Sequence, residues 1–239
     1  MADFIKKLKK KRKPFVSAVV AAGGTGTRMG ENKLLMELCG MPVLARTLIA
    51  LEKCEMIDEI VISAHKDSVM EYGMLARKYG IKKLKCVVPG GENRSISVFK
   101  GISAVSEECR FVAVHDGARP FITNEELENV IHKAFYTGAA TASVPVKDTI
   151  KQISDSKITS TVDRANLVQV QTPQVFDIDL IKGALTKVIA ENISVTDDCL
   201  AMEIMGFKPT VVTTSYDNIK ITTPEDILLG QLILNKRGE

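Results

Sequence analysis

The chain of 239 residues has few histidines, five cysteines without any C-x-x-C pair, and no apolar run long enough to span a bilayer. Lacking such a run, and lacking an apolar segment of signal-peptide type near Met1, it is expected to be soluble and cytoplasmic. The cysteines (Cys39, Cys54, Cys86, Cys109, Cys199) are odd in number. Neither a disulfide framework nor a zinc site is indicated, and reduced, mostly buried thiols are expected. None of the three histidines has the partners of a nucleophile triad. His115 reads as a packing residue at a strand end, His65 as a loop residue and His132 as a helix-surface residue.

Two nucleotide-binding signatures are also missing. The pattern G-x-x-x-x-G-K-[ST] fails because Gly30 is followed by Glu31 and Lys33 by Leu34, so a kinase-type P-loop is not expected. The pattern G-x-G-x-x-G fails as well. Gly24 and Gly26 are followed by Gly30, one position late, and the second strand ends in Ser63-Ala64-His65 rather than in an acid for a ribose.

Charge is unevenly spread. Residues Met1 to Phe15 hold seven of the 32 Lys and Arg residues against Asp3 alone, which leaves 25 basic and 28 acidic residues in the remainder. The overall +3 therefore belongs to a tail over residues 1–15, read as a solvated, flexible extension. Neither nucleic acid nor a membrane is expected as a partner.

What is present points to a phosphate site. Val16 to Ala22 is a β-branched and alanine run suited to a buried parallel strand, and it opens into Gly23, Gly24 and Gly26. Glycines let backbone N–H groups close on an anion, and Arg28 and Lys33 add positive charge beside them. An ordinary glycine-rich turn is the alternative for this stretch alone. A β-α-β-α-β order follows: Pro42 begins a helix, Glu59 to Ala64 is a strand, Asp67 to Tyr79 a helix and Leu84 to Val88 a strand. A second glycine loop, Pro89 to Val98, then runs into a helix; its polar groups could read a base, and the alternative is an ordinary Gly-Gly turn with Ser95 as the helix cap. Both loops lie at carboxyl ends of strands, where open α/β sheets bind ligands.

Phe111 to His115 forms another strand, ending in Asp116-Gly117-Ala118-Arg119. Asp116 there is placed to hold magnesium or orient a ligand, with an Asp116–Arg119 ion pair as the structural alternative. Thr123 to Glu126 is a capping box, and Ala140 to Val146 a strand. Residues 147–163 alternate polar and β-branched positions around Ser154-Asp155-Ser156-Lys157, which predicts a hairpin arm. A two-stranded hairpin is marginal alone, so it is expected to pack on a second subunit. Gln171 to Phe176 is expected as an extended, proline-fixed path, Asp177 to Glu191 as a helix, Thr196 as the cap of another helix to Met205, and Lys208 to Thr213 as a strand. Asp217 and Lys220 are expected to flank a short strand, either as a surface ion pair or closing the site from the far side.

Five segments taken together, AAGGTGTRMG-x-x-K, GGENRSISV, VHDGARP, PVKDT through TVDR, and TPQ with TDD and DNIK, resemble the 2-C-methyl-D-erythritol 4-phosphate cytidylyltransferases of non-mevalonate isoprenoid biosynthesis. The match runs from about Val16 to the C-terminus. The family usually has Pro-Lys-Gln where this chain has Asn32-Lys33-Leu34. The resemblance implies a Rossmann-like nucleotidyltransferase fold over 16–239, a mostly parallel sheet flanked by helices with an arm at about 147–163. It also implies transfer of CMP from CTP to methylerythritol 4-phosphate with a divalent cation such as Mg2+. By the same resemblance Arg28, Lys33, Arg164 and Lys220 are catalytic. Ala22, Gly23, Gly24, Gly26, Thr27, Gly91, Ser97, Asp116 and Ala118 bind the nucleotide, with Asp116 near the metal. Arg119, Thr149, Thr196 and Asp217 bind the acceptor. In the family the arm reaches into a partner subunit, so a homodimer is implied. The rivals are a cytidylyltransferase for ribitol 5-phosphate or another polyol phosphate, and a silent scaffold that keeps the fold.

Overall fold

The computed structural model describes residues 13–24 and 32–239. The expected tail up to residue 12, and Gly26, Thr27 and Arg28, lie outside the described residues. The tail assignment was too long at its inner end: β1 (Phe15–Ala22) begins at Phe15, and Lys13 Nζ is 2.6 Å from the Asp58 carboxylate.

The described secondary structure continues with a small hairpin, β2 (Glu37–Leu38) and β3 (Met41–Pro42), then α1 (Val43–Lys53), β4 (Glu59–Ala64) and α2 (Val69–Lys78). Next come β5 (Leu84–Pro89), α3 (Arg94–Ser103), β6 (Cys109–Asp116), α4 (Asn124–Thr137) and β7 (Ala139–Pro145). The arm is β8 (Ile150–Ser154) and β9 (Lys157–Val162). The chain closes with β10 (Val168–Asp177), α5 (Ile178–Ala190), α6 (Asp198–Ile204), β11 (Thr210–Thr213) and α7 (Pro224–Arg237).

Seven strands form one sheet in the order β11-β7-β10-β6-β1-β4-β5. Along β1, side chains alternate between the two faces, so Val16, Ala18 and Val20 join one core while Val19 joins the other. The first core contains Leu44, Leu48, Tyr72, Phe121 and Leu127; the second contains Val98, Ile102, Ile181, Leu185 and Met202. Helices thus cover both faces, as a largely parallel sheet requires.

The sheet is mostly parallel, as expected, and β10 is the exception. It runs antiparallel between β6 and β7, so Gln171 to Phe176 belongs to a central strand rather than to a connecting path. A proline in a central strand removes a ladder donor. Here it costs no pairing, because the β7 register breaks between Val170 and Gln174 and the β6 pairing begins only at Gln174.

Several caps match expectation and two do not. Thr123 and Glu126 make the reciprocal capping box of α4, and Gly138 closes that helix at φ +78°. Asn93, not Ser95, caps α3, its Oδ1 accepting from Ile96 N–H at 2.9 Å. Asp197, not Thr196, caps α6, its Oδ1 accepting from Leu200 N–H at 3.0 Å. The arm is antiparallel and turns on Asp155 and Ser156, both at positive φ, which suits a tight two-residue hairpin turn. Its residues from Ile150 to Thr161 are all exposed, Ile153 and Ile158 by about two-thirds.

Candidate active site

The carboxyl ends of β1, β5 and β6 open onto two adjoining clefts. One, of about 400 Å³, is lined by Ala22, Gly23, Gly24, Lys33, Gly91, Glu92, Ser97 and Ala118; the other, of about 520 Å³, by Arg119, Gln171, Thr172, Gln174, Thr196 and Asp197. Arg94, Asp116 and Lys220 border both.

Asp116 is the node of this shared wall. Arg94 Nη1 lies 2.7 Å from its Oδ1, Lys220 Nζ 2.8 Å from Oδ2 and Arg119 Nε 3.5 Å from Oδ2. Burial alone would raise the Asp116 carboxyl, but the charges of Arg94, Lys220 and Arg119 outweigh it and hold the group well below the usual carboxylate range. The expected Asp116–Arg119 pair is therefore present, as the longest of three.

Lys220 reaches Asp116 because its segment is stitched to neighbouring backbone. Ile221 N–H donates to Ala118 O at 2.8 Å, Arg119 Nη1 donates to Asn218 O at 2.8 Å, and Asn218 Nδ2 donates to Thr172 O at 3.0 Å. Residues 217–220 form a turn and loop, not the flank of a short strand. The backbone position of Asp116 is set from β10: its N–H donates to Thr172 Oγ1 at 3.0 Å, and Thr172 Oγ1 is 3.1 Å from His115 Nδ1. His115 Nε2 lies 3.1 Å from Arg119 O, which can only accept, so the proton sits on Nε2 and Nδ1 accepts from the threonine hydroxyl. Fully buried, His115 is depressed to about 4 and stays neutral, a packing residue as expected.

The second glycine loop is built for close approach. A Cβ on Gly91 would stand 2.1 Å from Ile96 Cγ2, so a side chain there would displace the start of α3. Ser97 Oγ accepts from Gly91 N–H at 3.0 Å and donates to Asn93 O at 2.8 Å, which braces the loop from within the helix.

Sequence reasoning assigned no role to Arg94 and Asp198. Arg94 Nη2 lies 2.8 Å from Asp198 Oδ2, whose side chain is 1% exposed, so one guanidinium ties Asp116 to the start of α6. Burial pushes Asp198 upward and Arg94 opposes it. Gln174 Oε1 accepts from Asp198 N–H at 3.0 Å while its Nε2 donates to Asp197 Oδ2 at 2.7 Å, fastening the same helix start to β10. A signal was available: Arg94 is the first residue of α3, where a cation opposes the helix dipole and calls for an acid nearby.

Not every expected residue gathers here. Thr149 and Arg164 are exposed at the base of the arm and line neither cleft, Arg164 Nη1 donating to Lys147 O. The Asp217 carboxylate faces the end of α7, 3.9 Å from both Lys236 and Arg237. Among the described residues no group of three or more His, Cys, Asp or Glu side chains is arranged to hold a metal ion, and no helix is long and apolar enough to cross a membrane.

Comparison with known proteins decides the family. Residues 16–236 match the family model described as IspD, 2-C-methyl-D-erythritol 4-phosphate cytidylyltransferase. The chain belongs to that family. A family member of that name from Halalkalibacterium halodurans is 44% identical over 92% of this chain and 97% of its own, and one from Caldanaerobacter subterraneus is 43% identical over 92% and 99%. Among solved structures, the 4-diphosphocytidyl-2C-methyl-D-erythritol synthase of Anaerococcus prevotii superposes with a TM-score of 0.84 at 34% identity, covering 92% of this chain and 96% of that one. The cytidylyltransferase of Thermus thermophilus gives 0.75 at 25% identity, covering 92% and 99%. The fold expected of a cytidylyltransferase is thus the one found.

Proposed function

We propose that this chain transfers CMP from CTP to the phosphate of 2-C-methyl-D-erythritol 4-phosphate, releasing pyrophosphate and giving 4-diphosphocytidyl-2-C-methyl-D-erythritol for isoprenoid precursors. The observation that carries the reading is the pair of clefts meeting at Arg94, Asp116 and Lys220, together with family membership. Two anionic substrates need separate beds and a cationic seam where they meet.

The chemistry is a substitution at the α-phosphorus of CTP. An oxygen of the acceptor phosphate forms the new P–O bond, and the bond to the bridging oxygen of pyrophosphate breaks. A phosphate monoester has a second pKa of about 6 and is largely dianionic at neutral pH, so no general base is required. His115 accordingly has no role as one: it is buried, neutral and engaged with Thr172 and Arg119.

Repulsion between the anions is the obstacle. Ala22, Gly23, Gly24, Gly26, Thr27, Gly91, Ser97 and Ala118 are assigned to CTP, with Arg28 and Lys33 on its phosphates. Arg119 and Thr196 are assigned to the acceptor, whose phosphate Lys220 holds in line, while Asp217, turned toward Lys236 and Arg237, is assigned no contact with it. Thr149 and Arg164 stand outside both clefts, so a homodimer is proposed in which each arm completes the other subunit's acceptor site.

A divalent cation such as Mg2+ would find one carboxylate here, Asp116, whose oxygens are shared with Arg94 and Lys220. Mg2+ beside a triphosphate takes most of its ligands from phosphate and water and needs only one or two carboxylates, and Asp116 faces both clefts. Bound there, it would supply further neutralisation of phosphate charge.

Pyrophosphate release with CTP and Mg2+, comparing methylerythritol 4-phosphate, ribitol 5-phosphate and no acceptor, tests the reading. Turnover with methylerythritol phosphate is expected. Preference for ribitol phosphate would move the substrate, and silence with both would refute cytidylyl transfer.

A further inference from the structure

No residue lining either cleft comes from α2, yet that helix reaches the nucleotide side through one hydroxyl. Tyr72 is 1% exposed, and its ring packs in the core. Asn32 Nδ2 donates to the Tyr72 hydroxyl at 3.0 Å, and the hydroxyl lies 3.2 Å from Asn32 Oδ1. A phenylalanine would fill the same volume without burying a polar group, so core packing gives no account of the hydroxyl. Burial pushes the phenol above its ordinary range, with its hydrogen bonds to Asn32 and Ser68 pulling the other way.

Asn32 immediately precedes Lys33, and Lys33 lies between two anchors. On its C-terminal side, Leu34 is buried at 3% exposure, its carbonyl accepts from Leu44 N–H at 2.9 Å, and Met36 O accepts from Val43 N–H at 3.0 Å, which fixes the chain to the start of α1. On its N-terminal side the turn closes through Asn32: its carbonyl accepts from Leu35 N–H at 2.9 Å and its Oδ1 from Leu34 N–H at 3.2 Å. Those two bonds are internal to the turn. The Asn32 side chain also meets the Tyr72 hydroxyl through both Nδ2 and Oδ1, which ties this end of the turn to α2.

We propose that Tyr72 is a positioning residue for nucleotide binding, its hydroxyl holding Asn32 so that the Lys33 backbone is presented to the cleft from a fixed turn. This rests on the assignment of Lys33 to the CTP phosphates. The lysine must meet a phosphate oxygen within a few tenths of an ångström for a charge-assisted bond, and each bond that fixes the turn narrows where its backbone can stand.

The test uses the full chain with Tyr72→Phe, Asn32→Ala and the double variant, reading kcat and KM for each substrate, CTP affinity by calorimetry, and thermal stability. Tyr72→Phe is expected to lower kcat/KM for CTP roughly three- to tenfold, the scale of one neutral hydrogen bond, with KM for the acceptor unchanged. Because both single changes break the same contact, the double variant is expected to lie no lower than Asn32→Ala alone. An unchanged CTP dependence in Tyr72→Phe, a fall in thermal stability alone, or additive losses in the double variant would each overturn the proposal. Calorimetry separates it from the functional reading: if the wild-type chain binds CTP but turns nothing over, a weaker CTP complex in Tyr72→Phe still supports the positioning role, and an equal one refutes it.

Discussion

Lys220 Nζ lies 2.8 Å from Asp116 Oδ2, on a wall to which Arg94 and Arg119 also bring positive charge. Asp116→Asn keeps the shape and removes the charge, leaving these cations to repel one another. Removing one member of a buried ion pair costs about 3 to 5 kcal/mol, so the urea midpoint should fall clearly and CMP transfer should be largely lost. Full stability in the variant would mean that the cluster is effectively solvated.

Arg94 offers a separation of stability from activity. Arg94→Met strands Asp198, which is 1% exposed, and should destabilise by about 3 kcal/mol. Adding Asp198→Leu removes the stranded charge and should recover much of that loss in a denaturant titration. Activity should not return, because Asp116 has still lost a partner. Recovery of both would show that the bridge serves folding alone.

The buried His115 makes stability depend on pH. Its folded-state value is lowered to about 4, whereas an unfolded histidine titrates near 6.5, so between these limits the unfolded chain binds the extra proton. Stability should be retained above about pH 6.5 and fall by on the order of 3 kcal/mol as pH drops to 4. Urea titrations across that window should show a shallower slope in His115→Gln than in the wild type. Equal slopes would remove His115 as the cause.

The proposed sharing of sites between subunits predicts complementation. Lys33→Ala alone should keep the fold and lose roughly a hundred- to thousandfold in rate, as when one preorganised donor is removed from a transition state. Arg164→Ala should be similarly inactive. Refolded together in equal amounts, they should regain about a quarter of wild-type activity, since half the dimers would be mixed and each would hold one intact site. No regain would place Lys33 and Arg164 in the same subunit's site.

Much of the fold was legible because β-branched runs, capping residues and turn glycines act locally. The Thr123–Glu126 box and the arm's turn at Asp155-Ser156 are examples. The placement of β10 was not legible. Pro173 argues against a central strand, and only the register break with β7 makes it harmless there. The two misplaced caps have a simpler reason. Ser95 and Asn93, like Thr196 and Asp197, are both good capping residues, and at α6 the bonds from Gln174 to Asp197 and to the Asp198 N–H fix the helix start.

The site was partly legible for the same reason. Lys33, Gly91, Ser97, Asp116 and Lys220 stand on one opening, Asp116 and the Gly91 loop because the ends of β6 and β5 bring them there. The Arg94–Asp198 bridge joins residues 104 apart in the chain, a long-range event that no short motif encodes. Asp217 was assigned by its motif alone, and its carboxylate faces Lys236 and Arg237.

The order of the sheet sets a timetable for synthesis. The strands β1, β4, β5 and β6 leave the ribosome first and can pair among themselves, but the outer edge of β6 waits for β10, which follows the whole arm. Until Asp177 emerges, a nascent chain carries an open, apolar strand edge through Val112 and Val114. Stalled chains ending before Val168 should therefore be held by chaperones and cut readily by protease, and chains long enough to expose Asp177 should be released, as pulse proteolysis of stalled ribosomes would reveal.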